Sequence, residues 1–203
     1  MKGACLLLVV IIGLMSPARA ADPGNPDWPC VQVKVPEISP AAVWAGPPLD
    51  EAVKAWESDP TIKDLITRLA ARRVPVEEAQ KTAAEFLHAS DAATRQERAK
   101  LVFAGLFDTL NRLRSQVING IERYTRRQRE FAEHIRASTL KLRALQDQPN
   151  SDLKQIEELS DQLQWDTRIF EERRRTINAV CEVPMLIEQR LFALARTIQE
   201  ALE

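Results

Sequence analysis

This 203-residue sequence holds only six glycines and one tyrosine, and aromatic residues make up 5% of it. Sheets draw on aromatic residues and on glycine-bearing turns, so the composition argues against an all-β fold. Histidine occurs twice, which leaves little of the commonest metal-binding nitrogen. His88 does have the Glu85-x-x-His88 spacing of bundle di-iron sites. Such sites need a second copy, and His134 has Phe131, not Glu, three residues earlier. The three cysteines include no Cys-x-x-Cys pair, so zinc has no ligand set. There is no Gly-x-Gly-x-x-Gly, no P-loop and no Gly-x-Ser-x-Gly elbow. The expectation is a non-enzyme with no catalytic residue, no metal and no cofactor.

Neither sign of charge dominates: 28 Lys and Arg face 29 Asp and Glu, for a net charge of −1. Without a strong field the chain has no general attraction to nucleic acid or anionic lipid, so neither is an expected partner. One apolar run is present, Leu6 to Met15, preceded by Lys2 and followed by Ala18-Arg19-Ala20. It is too short to span a bilayer, and its small residues stand where a signal peptidase reads. Residues 1–20 are therefore expected to be a secretory signal, with the mature chain starting near Ala21 and carrying no transmembrane segment. The signal holds two basic residues and no acidic one, so its removal moves the net charge from −1 to −3. The expected location is the periplasm, or the outside if the host has a single membrane. Cys5 leaves with the signal, and the even pair Cys30 and Cys181 in an oxidising compartment reads as a disulfide staple. A redox-active pair or an intermolecular bond are the alternatives.

What the chain does have is Ala, Leu, Arg, Glu and Gln, the residues that lose least on entering a helix. The expected class is all-α: a long antiparallel, coiled-coil-like helical hairpin, a small N-terminal helical cap and a Pro-rich extended arm. The arm covers 21–49, with prolines at 23, 26, 29, 36, 40, 47 and 48. Val31, Val33 and Val35 alternate like a strand but have no partner strand. Trp28, Val43 and Trp44 are apolar enough to dock, on the C-terminal helix if Cys30 binds Cys181. The cap covers 50–90, with short helices expected over 50–57, 59–73 and 76–88; Asp59 is the N-cap of the second and Pro60 its first residue.

The hairpin covers 91–203. Its first arm begins at a cap on Asp91 or Thr94 and carries the row Phe103, Leu110, Val117, Tyr124, Phe131, Ser138, Leu145. The second carries Ile156, Leu163, Phe170, Ile177, Pro184, Leu191, Ile198. Sustained heptads joined by a turn near 147–152 argue for two antiparallel helices, with Pro184 expected to kink or break the second. The same rows would serve a pairing between chains, so a homodimer is open.

One cluster breaks the pattern. Arg123, Arg126, Arg127 and Arg129 on the first arm stand level with Arg173, Arg174 and Arg175 on the second, about 35 Å from the turn by helical rise. Gln128 and Arg173 fall at seam positions there. A salt-bridged polar layer that fixes register is one reading. A contact for an anionic ligand or an acidic partner is the other. Trp165 is expected to cover this layer; stacking on an arginine or exposure to a partner are its other placements. A small-ligand pocket between cap and hairpin base would use Phe103, Phe107 and Phe192. The shape is similar to that of exported helical-hairpin adaptors and small holdase chaperones, a similarity of architecture alone. The functional expectation is an envelope scaffold or interaction protein working through protein–protein contacts. A periplasmic holdase chaperone and a small-ligand-binding helical protein are the alternatives.

Overall fold

The computed structural model describes residues 25–49 and 52–203; the expected signal at 1–20 lies outside them. Among the described residues the chain is all-α, with five α-helices: α1 (Ala52–Ala55), α2 (Pro60–Ala70), α3 (Val76–His88), α4 (Ala92–Gln146) and α5 (Leu153–Glu200). Short 3-10 turns occupy Pro40–Ala42 and Trp56–Ser58. α4 and α5 run antiparallel as the expected hairpin. At 1.5 Å per residue the 55 residues of α4 span about 80 Å.

Local chemistry sets the element ends. Asp59 caps α2 by accepting from the Thr61 and Ile62 amides at 2.8 and 3.2 Å, with Pro60 as the first helical residue. α2 stops at Ala70, three residues short of expectation, because Ala71 turns extended. Residues 50–51 of the expected first cap helix lie outside the described residues; the rest is an α-turn, Ala52–Ala55, running into a 3-10 turn around the buried Trp56. Asp91 stands at the N-cap of α4 without a side-chain bond, whereas Asp152 accepts from the Lys154 amide at 3.0 Å and starts α5. Pro184 does not break α5, which continues through it as a single helix. Proline removes one main-chain hydrogen bond, and here Cys181, Pro184 and Ile187 are buried in succession along the face turned to α4. Packing on both sides holds the helix through the lost bond.

The cap straddles the hairpin base, α2 packing on α4 and α3 on α5. Ile62, Leu65, Ile66 and Leu69 of α2 follow helical spacing and meet Phe103, Leu106 and Leu110 of α4. Ala79, Ala83 and Leu87 of α3 join Leu191, Leu194 and Ile198 of α5 in the same core. Gly105 lets Trp56 and Ile66 approach α4: a Cβ there would stand 2.1 Å from Ile66 Cδ1 and 2.7 Å from the Trp56 ring. Gly→Ala inside an exposed helix gains about 1 kcal/mol. Gly105→Ala is expected instead to lose about 1–3 kcal/mol through overpacking, read as a lower urea midpoint; an unchanged or raised midpoint would contradict this packing.

Burial stops abruptly along the hairpin. The last buried positions are Ile121 on α4 and Cys181 on α5. Between them, through the whole distal shaft and its turn, no described residue is buried. Four helices and the arm enclose side chains at the base, while two helices alone only half-cover their seam of Phe131, Ile135, Leu142, Ile156, Leu163 and Phe170.

The arm is extended and pinned by the Cys30–Cys181 disulfide, with Cα atoms 5.5 Å apart. Trp28 is buried with both cysteines, Ile118 and Ile121, so it docks on both long helices rather than on α5 alone. Trp44 stacks on Phe103 of α4, centroids 4.4 Å apart. The alternation at 31–35 points the other way from a buried strand. Val31, Val33 and Val35 are exposed, and Gln32 and Lys34 turn inward.

Candidate functional site

The arginine cluster forms where the arm crosses the shaft. Arg126 and Arg129 recur at three residues on α4, which puts both on the side facing the arm. There Asp27 receives both: Arg126 donates through Nε at 3.2 Å and Nη2 at 3.0 Å, and Arg129 through Nη2. One turn below, Glu122 accepts from Lys34 Nζ at 2.5 Å and Asn25 Nδ2 at 3.0 Å. The side-chain hydrogen bond from Lys34 holds the Glu122 carboxyl below its ordinary value, and Asn25 adds to it against the opposing pull of burial. A carboxyl depressed by folding binds fewer protons folded than unfolded, so its contribution is present above the unfolded pKa and lost as pH falls through the folded one. Acidification below about pH 4.5 is therefore expected to destabilise the wild-type chain more steeply than Glu122→Gln. Unfolding midpoints measured from pH 6 to about pH 3 check this, and parallel slopes for the two proteins would refute it.

On α5, Arg174 pairs with Glu171 at 2.8 Å and Arg168 with Glu172 at 3.6 Å, both along the same helix. Arg173 lies across the seam: its guanidinium is 5.4 Å from the Phe131 ring centroid, and its carbonyl accepts from Tyr124 Oη at 3.0 Å. Arg123, Arg127 and Arg175 make no ion pair among the described residues, and all three are exposed. The cross-seam ion pairs expected of a polar register layer are absent among the described residues at this height. Tyr124 and the Phe131–Phe170 pair, centroids 6.5 Å apart, bridge the helices instead. The charges point outward or into the arm because Arg side chains are long enough to leave a half-covered seam.

Trp165 does not cover the layer. It is 63% exposed, with the Arg168 guanidinium 5.8 Å from its ring centroid. One turn on, at 100° per residue, Ile169 adds to the same side of α5 and is itself 37% exposed. His134 of α4 reaches Asp166 at 3.6 Å beside them. Near the arm, Pro29, Tyr124, Thr125, Phe170 and Ile177 line a dimple of about 140 Å³ between the helices. The three phenylalanines expected around a ligand do not share a cleft. Phe103 is fully buried under Trp44, Phe107 is tilted against it at 5.9 Å, and Phe192 stands exposed on α5 beside Met185 and Arg196.

No group of three or more His, Cys, Asp or Glu side chains among the described residues could hold a metal ion. The described helices include none long and apolar enough to cross a membrane. Comparison with protein-family models, with curated proteins and with solved structures finds no match to this chain. What the shaft offers chemically is a set of exposed guanidinium groups, suited to carboxylates, and, further toward the turn, an exposed indole and isoleucine.

Two buried arginines escaped the sequence reading. Arg114 is 3% exposed, donating to Glu188 at 2.5 Å and to the Pro36 carbonyl at 3.3 Å. Arg190 is buried where α5 passes the α2–α3 connection. The signal was present in both cases. Arg114 continues the 3–4 spacing of Leu106, Leu110, Ile118 and Ile121, and Arg190 that of Ile187, Leu191 and Leu194.

Proposed function

We propose that the chain is an exported, non-enzymatic interaction protein of the cell envelope that docks an acidic partner surface along the distal shaft. The observation that carries this reading is the exposed Trp165–Ile169 pair, with Arg168 at the indole, on the same distal shaft as Arg123, Arg127 and Arg175, which are exposed and have no ion-pair partner among the described residues. Partly dehydrated tryptophan and arginine dominate the energetics of protein interfaces. The shaft needs none of these side chains for its own seam. Export rests on the N-terminal pattern and agrees with a disulfide between Cys30 and Cys181; the location is the periplasm in a two-membrane host and the outside otherwise.

The test is in-cell photocrosslinking with the probe at Gln162, one turn from Trp165, read by mass spectrometry. One stoichiometric adduct is expected. Trp165→Ala with Arg127→Glu should cut it about thirtyfold, the scale of an interface tryptophan, at unchanged helicity. An adduct that survives both substitutions would remove this face from the interface. A broad smear of weak adducts would point instead to a holdase, and an adduct with the chain itself would make the partner a second copy.

A further inference from the structure

At the hairpin base the Arg190 guanidinium is buried with its bonding incomplete. Its residue is 9% exposed. Nε donates to the Leu69 carbonyl at 2.7 Å and Nη1 to the Val74 carbonyl at 2.8 Å. These bonds tie the α2–α3 connection to α5. Nη2 is buried and has no acceptor. No carboxylate among the described residues pairs with this charge; Glu188, two residues earlier, is taken by Arg114. Burial alone pushes the Arg190 pKa down, the signature of a cation stripped of water and given no counter-ion. An unpaired buried charge is costly, and an orphaned donor adds to that cost.

Arg190 also lines an open cleft of about 430 Å³ between α5 and the α2–α3 connection. Its other walls are mainly apolar: Val76, Leu110, Leu186 and Ile187, with Leu186 half-exposed at the mouth. Arg72, exposed on the connection, supplies a second guanidinium to the lining. The cleft thus combines an apolar wall with two positive charges and no negative one among its lining residues.

We propose that this cleft binds a monoanionic amphiphile, an alkyl carboxylate, with its head group between Arg190 and Arg72 and its chain along Val76, Leu186 and Ile187. A carboxylate matches the fork of a guanidinium. Arg190 Nη2 is closed to solvent and has no acceptor, so the carboxylate completes its bonding once the guanidinium turns toward the cleft. The cleft lies about 25 Å along α5 from Arg173 by helical rise, so this site stands or falls independently of the shaft interface.

The probe is decanoate, titrated into the oxidised full chain by calorimetry below its micelle concentration, with decanol and acetate as controls. Decanoate should bind with one-to-one stoichiometry and about tenfold or more tighter than decanol, the fold-change of one charge-assisted hydrogen bond. Acetate should bind too weakly to detect. Leu186→Asp places a repelling charge beside the chain and should abolish binding. Arg72→Ala should weaken it about tenfold. Both positions are exposed enough to substitute without unfolding the cap, so the test does not depend on an Arg190→Lys variant that also loosens the connection. Equal affinity for decanoate and decanol, or binding unmoved by Leu186→Asp, would overturn the proposal.

Discussion

Replacing both bridge cysteines, Cys30→Ser with Cys181→Ser, is expected to lower stability by up to about 5 kcal/mol and by no less than about 2. The bridged residues are 151 apart in sequence, so the oxidised unfolded chain is closed into one loop holding most of the protein. In the chain-entropy account that constraint, not any contact of the sulfurs, is the source of the gain. The folded state loses something too. Trp28 is buried beside the bridge against Ile118 and Ile121. The remaining ties at this end of the arm include the ion pairs of Asp27 with Arg126 and Arg129, and of Lys34 with Glu122. Partly exposed pairs of this kind contribute about 0–1 kcal/mol each. Trp44, stacked on Phe103 further along, should keep its place. Urea unfolding of the oxidised and doubly substituted chains measures the loss, and amide exchange locates it. Midpoints that agree within about 1 kcal/mol would mean that the bridge does not constrain the unfolded chain as this account requires.

The hairpin was legible because its signal is long: heptad rows over two stretches, with a turn near 147–152 between them. The Asp59–Pro60 start of α2 was legible for a local reason, since cap and proline act within one turn. The details that escaped depend on neighbours distant in sequence. Arg114 and Arg190 look like solvated charges until the arm covers one and the α2–α3 connection covers the other. Their positions within apolar rows were visible, but a seven-residue template placed the first-arm seam at Val117, where the structure buries Arg114 and Ile118 on either side. A roughly straight helix drifts against that template, and the four-helix base follows the true 3.6-residue period. The helix is not broken at Pro184 because a lost hydrogen bond is a local cost while the packing that offsets it is not. The arginine cluster was found by counting, yet its distribution was not: Asp27, which collects two of the arginines, is about a hundred residues away in sequence. Trp165 was assigned to cover the layer because apolar bulk is expected to seek burial, and two helices have no room for it.

The same dependence on distant neighbours makes the Arg114–Glu188 pair a second large effect. Removing one member is expected to cost more than removing both. Arg114 is 3% exposed, whereas the Glu188 side chain is 31% exposed. Glu188→Met leaves a guanidinium buried with only the Pro36 carbonyl at 3.3 Å as acceptor. Breaking a fully buried pair this way costs about 3–5 kcal/mol; water reaching the open side of Glu188 should reduce that to about 2–3 kcal/mol. Arg114→Met with Glu188→Met removes the orphan and leaves two linear apolar side chains between α4 and α5. That double variant is expected to lie within about 1 kcal/mol of wild type. It should nonetheless exchange the amides of residues 34–38 faster, because Arg114 is also what holds the Pro36 carbonyl against the helix. Urea midpoints for wild type, both single variants and the double close a cycle whose coupling term is the quantity sought. A double variant that loses the sum of the two singles would show that the charges act independently and that the arm, not the ion pair, seals this level of the hairpin. The predicted outcome assigns the two groups different tasks: Glu188 compensates a charge that folding traps, and Arg114 fastens the arm where the four-helix base gives way to the shaft.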